Sequence, residues 1–193
     1  MAQNFTNHAF TESVKAEQEK YGSRIAYQKM EQLEKYELGP MEEQFIAQRD
    51  GFYLSTVGEN GWPYVQFRGG LKGFPKVLDH QALAFADFRG NRQYISTGNL
   101  KSIGRASMIL LDYASKTRLK IWAEAEVIDA ETRPDLVEEL ASPNYNATIE
   151  RIFIFKVKGF DWNCPQHITP KFTLQEFKEL IKENPEIREE LMA

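Results

Sequence analysis

The chain has 193 residues, and its 24 Lys and Arg against 28 Asp and Glu give a formal net charge of −4. That length fits one domain with appendages, and 42% hydrophobic with 27% charged residues is a soluble globular composition. Mild acidity argues against a general nucleic-acid binder, and no window approaches the ~20 apolar residues that a membrane-spanning helix needs.

Residues 11–37 read as helix, because Val14, Tyr21, Ile25, Met30, Leu33 and Tyr36 fall near helical spacing among Glu and Lys. Gly22 divides this stretch, and Gly39-Pro40 ends it. His8 lies ahead of it in a segment read as a mobile terminus. Met41–Gln48 predicts a short helix, closed near Asp50-Gly51. Phe52–Val57 is a strand by composition, Glu59-Asn60-Gly61 a turn that tolerates positive φ, and Pro63–Arg68 the returning strand. Phe74–Asp79 and Ala82–Ala86 form a second hairpin around Asp79-His80-Gln81.

Residues 91–102 predict a helix after Arg89-Gly90-Asn91-Arg92. Ala106–Tyr113 and Arg118–Val127 are two further strands. In the second, Leu119, Ile121, Ala123, Ala125 and Val127 share one face, opposite Lys120, Trp122, Glu124 and Glu126. Pro134–Leu140 is a helix with Thr132 as its expected cap, Arg151–Phe160 a strong last strand, and Phe172–Lys182 a helix capped by Thr173. A helical turn or two around Pro185–Leu191 ends the chain. Tight hairpins mean antiparallel pairing, which excludes a Rossmann domain and points to a small antiparallel barrel flanked by helices.

Three segments could carry chemistry. In Gln66-Phe67-Arg68-Gly69-Gly70, alternation puts an amide and a guanidinium on one face, followed by glycines able to expose N–H groups, which suits a planar anion. The bland alternative is a strand end with a surface arginine. Arg89-Gly90-Asn91-Arg92 before a helix offers N–H donors and a cation to a phosphate, or else an Asn-capped helix with solvated arginines. Asp161–Ile168 gathers Trp162, Asn163, Cys164 and His167 in a Pro-kinked loop, a mixture typical of ligand walls. Cys164 is the sole cysteine, so an intramolecular disulfide is excluded, and the ligands for a metal site are missing. Met1-Ala2-Gln3-Asn4 has no basic segment followed by an apolar stretch, so a reducing, cytoplasmic setting is the expectation. No acid–base pair, Walker loop, Gly-x-Ser-x-Gly or His-Glu-x-x-His stands out.

At these segments the sequence resembles the pyridoxamine 5′-phosphate oxidase-like family of FMN-binding split-barrel proteins. The resemblance is carried in order by Pro63–Gly70, Gly73–Asp79, Ala84–Leu100 and Leu119–Val127. Asn163–Ile168 looks like the tail motif of one branch of that family. It implies a mainly β fold, an antiparallel Greek-key split β-barrel with N- and C-terminal helices. The implied division is residues 1–40 as a helical extension, 41–172 as the FMN-binding barrel, and 173–193 as a helical tail packed on the same domain.

The implied function is an FMN flavoprotein, an oxidoreductase working as a homodimer with cofactor at the subunit interface. The alternatives are a non-catalytic flavin or haem binder and, third, an F420-dependent reductase. The resemblance puts Gln66, Arg68, Gly69, Gly70, Ala86, Asp87, Gly90, Asn91, Arg92 and Arg118 at the cofactor. Trp162 and Asn163 are expected from the other subunit. Two departures set the chain apart from the true oxidases. The phosphate turn reads Gly90-Asn91-Arg92 in place of Ser-Arg-Lys, one cation fewer, and Gln166-His167-Ile168 lacks the arginine of the Arg-Leu-His substrate motif.

Overall fold

A computed structural model of the chain describes residues 4–32, 37–142, 144–163 and 165–192. Leu33, Tyr36 and Cys164 lie outside the described residues. Four short helices come first: α1 Thr6–Ala9, α2 Glu12–Lys20, α3 Arg24–Glu31 and α4 Pro40–Ala47. The strands β1 Gly51–Val57, β2 Pro63–Gly69, β3 Lys76–Asp79 and β4 Ala82–Phe88 follow, then α5 Ile95–Ile103, β5 Arg105–Asp112 and β6 Thr117–Asp129. A 3₁₀ turn at Ala130–Thr132, α6 Pro134–Leu140, the long β7 Ile149–Asn163, α7 Leu174–Glu183 and α8 Pro185–Met192 complete the described elements. Among the described residues no helix is long and apolar enough to cross a membrane.

The seven strands form one antiparallel sheet in the order β2-β1-β5-β6-β7-β4-β3. The sheet curls on itself. Phe52 of β1 meets Phe85 of β4 edge-on at 5.3 Å, although three strands separate β1 from β4 in the sheet. Phe52, Leu54, Leu83, Phe85, Leu110, Leu119, Ile121, Phe153 and Phe155 fill the interior. A second, smaller core lies outside it, where Ala84 and Ala86 of β4 and Ile152 of β7 pack under Leu136 and Leu140 of α6. The Asn60-Gly61 turn forms as expected. Gly61 takes φ +81°, and the Asn60 side chain accepts from the Trp62 N–H at 3.2 Å.

From Asn4 to Ala9 the chain is docked on the sheet, where a mobile segment around His8 was expected. Phe5 stacks on Trp122 at 5.6 Å, Thr6 is buried, and the backbone at Phe5 lies against Gly159, where a Cβ would stand 2.5 Å from the Phe5 nitrogen. This explains a large aromatic on the polar side of β6. Thr132 does not cap α6: its hydroxyl donates to the Asp129 carbonyl at 2.7 Å, and Arg133 holds the cap position. Thr173 does cap α7, in a reciprocal box with Glu176. α7 turns Gln175, Glu176 and Glu179 toward the barrel and buries none of its described residues.

Candidate functional site

β2 carries an inverted pattern. Its register with β1 pairs Phe52 with Arg68, Leu54 with Gln66 and Thr56 with Tyr64. Because Phe52 and Leu54 point into the barrel, Tyr64, Gln66 and Arg68 point the same way, while Val65 and Phe67 are exposed outside. The polar face of this edge strand therefore looks across the open seam toward β4.

The facing group on β4 is Asp87, which is 3% exposed and continues the inward row of Leu83 and Phe85. β4 and β7 pair Phe85 with Phe153 and Asp87 with Arg151, so Arg151 is the next inward residue on β7. Arg68 donates to one Asp87 oxygen at 2.7 Å. Arg151 donates to the other through Nε at 2.9 Å and Nη2 at 2.7 Å. Glu150 accepts from Arg151 at 2.8 Å and from Arg89 at 2.9 Å. Arg68 also lies over the rings of Phe153 and Phe85. Its Nε is buried without a hydrogen-bond partner.

Burial pushes the Arg68 guanidinium below its usual range, with the Asp87 charge acting against that shift. The single shared carboxylate thus does not fully compensate the buried cation. Burial also works against the Arg151 charge, but hydrogen bonding and attraction to Asp87 and Glu150 outweigh it and the net shift is upward.

The wall opposite is the Gly90–Tyr94 loop. The helix expected from residue 91 begins at Ile95, and Asn91 does not cap it. Asn91 accepts instead from the Gln93 N–H at 3.1 Å, an Asx turn. Arg92 and Tyr94 both take positive φ, 61° and 55°, conformations that cost a non-glycine residue roughly 1–2 kcal/mol. The result is a compact stack: Arg92 Nε donates to the Tyr94 hydroxyl at 3.2 Å, and the Tyr94 ring lies 4.8 Å from the Arg151 guanidinium. Tyr94 gives α5 no side-chain cap, and the first turn of the helix, Ile95 to Thr97, lines the cleft with Ser96, whose hydroxyl donates to Gln66 at 3.1 Å.

Gln66, Arg68, Asp87, Gly90, Asn91 and Arg92 thus line one cleft. Gly69 and Ala86 line a neighbouring crevice with Phe67, Phe74 and Phe85, which shares Arg68, Asp87 and Phe88 with the cleft. The glycine bend does not offer donors as expected. The Gly70 N–H donates to the Asp50 carbonyl at 2.9 Å, and a Cβ there would stand 2.7 Å from Phe74 Cγ.

Arg118 and Asn163 pair with each other across β6 and β7, away from the cleft. Trp162 donates to the Glu42 carboxylate at 2.7 Å and packs edge-on against Phe45. Within one chain, then, Gly70, Arg118, Trp162 and Asn163 do not reach the cleft. Sequence reasoning missed Tyr64, Tyr94, Ser96 and Arg151. The available signal for Arg151 was a charged residue in step with the inward row Phe153 and Phe155.

The family model for pyridoxamine 5′-phosphate oxidase matches residues 39–158, which takes in every charged residue of the cleft and stops short of Trp162 and Asn163. Among solved structures, the fold is similar to a Lactobacillus delbrueckii protein provisionally assigned as a pyridoxamine 5′-phosphate oxidase. That match has 20% identity and a TM-score of 0.50, and covers 67% of this chain and 97% of that one. It is also similar to tagged HupZ of Group A Streptococcus, at 11% identity and TM-score 0.50, covering 70% and 100%. No curated protein matches the chain.

Proposed function

The chain belongs to the pyridoxamine 5′-phosphate oxidase family, and from that membership we propose that it is an FMN-binding flavoprotein acting as an oxidoreductase on a small molecule. One observation carries the reading: Arg68, from the barrel wall, and Arg92, from the turn before α5, share a cleft with a net excess of cationic charge. Arg68, Arg92 and the N–H groups at the start of α5 would hold the phosphate, a group that such donors favour. Gln66 and Ser96 would hold polar atoms farther along the ligand. When bound, FMN supplies hydride or electron transfer, and the residues of this chain orient it and exclude water.

The acting unit in this reading is a homodimer. The cleft of one chain encloses about 50 Å³, well below the ~300–1,000 Å³ of small-molecule sites, so a second wall is needed. The outer face of β2, β1 and β5 presents Phe67, Tyr53 and Ile109 side by side, all exposed. Contiguous apolar sheet surface of this kind marks an interface. Arg118, Trp162 and Asn163 would complete the site from the partner.

The test is titration of the purified chain with FMN, followed by flavin fluorescence quenching. Binding at micromolar or better affinity is expected, with Arg68→Gln weakening it ~10- to 100-fold, the worth of a charged hydrogen bond. No quenching by the native chain sinks the reading. Flavin binding without NAD(P)H oxidation across a panel of acceptors keeps the flavoprotein and discards the oxidoreductase.

A further inference from the structure

The charged residues lining the cleft are Arg68, Arg92, Arg151 and Asp87, three cations against one anion. Glu150 is matched by Arg89 just outside. The cleft therefore carries two uncompensated positive charges. A phosphomonoester dianion balances them, and a phosphodiester, with one charge, leaves one cation unmatched. The guanidiniums also keep donors in reserve. Arg68 uses one Nη1 N–H on Asp87, Arg92 uses Nε on Tyr94, and Arg151 uses Nε and Nη2 on the carboxylates, leaving its Nη1.

Asp87 fixes where those donors point. Its two oxygens are divided between Arg68 on β2 and Arg151 on β7, so one buried carboxylate aligns cations from opposite sides of the seam. The Tyr94 ring covers Arg151 and its hydroxyl holds Arg92, which brings the third cation to the other two.

We propose that this cleft is a dianion clamp: Asp87 is a positioning residue rather than a ligand contact, and Arg151 supplies the cation absent from the Gly90-Asn91-Arg92 turn. The clamp selects a terminal phosphomonoester over a phosphodiester or an unphosphorylated ligand. The proposal rests on the flavin reading for its natural ligand, but the clamp chemistry stands on the cleft itself.

The test uses the full chain and four probes: FMN, riboflavin, phenyl phosphate and its singly charged diester methyl phenyl phosphate. Flavin binding is read by fluorescence quenching and the phenyl phosphates by calorimetry. The native chain is expected to bind FMN more tightly than riboflavin, and phenyl phosphate more tightly than methyl phenyl phosphate. Arg151→Gln is expected to weaken FMN and phenyl phosphate about 10- to 100-fold and to leave riboflavin unchanged, with Arg151→Lys recovering part of the loss. Equal loss of FMN and riboflavin, or no loss of FMN, overturns the role of Arg151.

Asp87→Asn separates positioning from charge. Removing a negative charge beside a phosphate should tighten binding if electrostatics alone decide, whereas the positioning role requires weaker FMN binding with riboflavin unchanged. Tighter FMN binding by Asp87→Asn overturns that role. Should this variant not fold, the Arg151 pair still decides the clamp. If the native chain binds phenyl phosphate through Arg151 but neither FMN nor riboflavin, the clamp stands and the flavin reading falls. If it binds FMN no better than riboflavin and no phenyl phosphate, the clamp falls.

Discussion

Arg92 sits in a backbone conformation that suits glycine, and its side chain faces the cleft. Stability and binding therefore pull in opposite directions at this position. Arg92→Gly is expected to leave the unfolding free energy unchanged or raised by up to about 1 kcal/mol, while weakening FMN about tenfold. Calorimetry and titration on the same sample check both signs. Glycines make a second contrast. Gly159→Ala pushes a Cβ against the Phe5 backbone and should destabilise by about 1–3 kcal/mol. Gly98→Ala, within α5 and with open space around it, should stabilise by about 0.5–1 kcal/mol. Equal shifts in chemical denaturation for the two variants would contradict the packing at Phe5.

Legibility in the sequence divides along the same residues. Gln66 and Arg68 on one face of β2 follow from strand alternation, which is a local property. Arg151 does not, because it meets Asp87 only through a register between strands 64 residues apart in the chain. The small residue at Gly70 is illegible for a related reason: the ring of Phe74 crowds the place a Cβ would take, a packing fact with no local signature.

Among the elements, α2 and α3 are tied by Arg24, which donates to both oxygens of Glu31 at 3.0 and 2.9 Å and to Gln18 at 3.1 Å. The hydrogen bond from Arg24 holds the Glu31 carboxyl below the usual range, against its partial desolvation. A depressed carboxylate stabilises above its unfolded pKa, and that contribution is lost as the pH falls through the lowered value. Amide exchange in residues 12–31 should therefore quicken as the pH drops below the carboxylate range, relative to intrinsic rates, and Glu31→Gln should abolish this dependence. α7 makes a different case. Its Thr173 cap was legible as a local signature, yet the helix buries nothing described. Deleting residues 173–193 should change the unfolding free energy by less than about 1 kcal/mol, as measured in urea. The docking of Phe5 on Trp122 was illegible, since nothing near either residue names the other.

At the scale of the whole molecule, the antiparallel barrel was readable from hairpin punctuation and alternation, while the order of strands around it was not. That order depends on β7, whose 15 residues pair with β4 along one edge and β6 along the other. Without β7, the β3–β4 hairpin has no neighbour in the sheet and Asp87 has no Arg151. During synthesis on the ribosome, everything up to β6 leaves the exit tunnel before the strand that joins the β3–β4 hairpin to the rest of the sheet. The nascent chain must therefore wait for its last quarter, with the inner face of β4 uncovered, before Asp87 gains Arg151 and the cleft has all its walls.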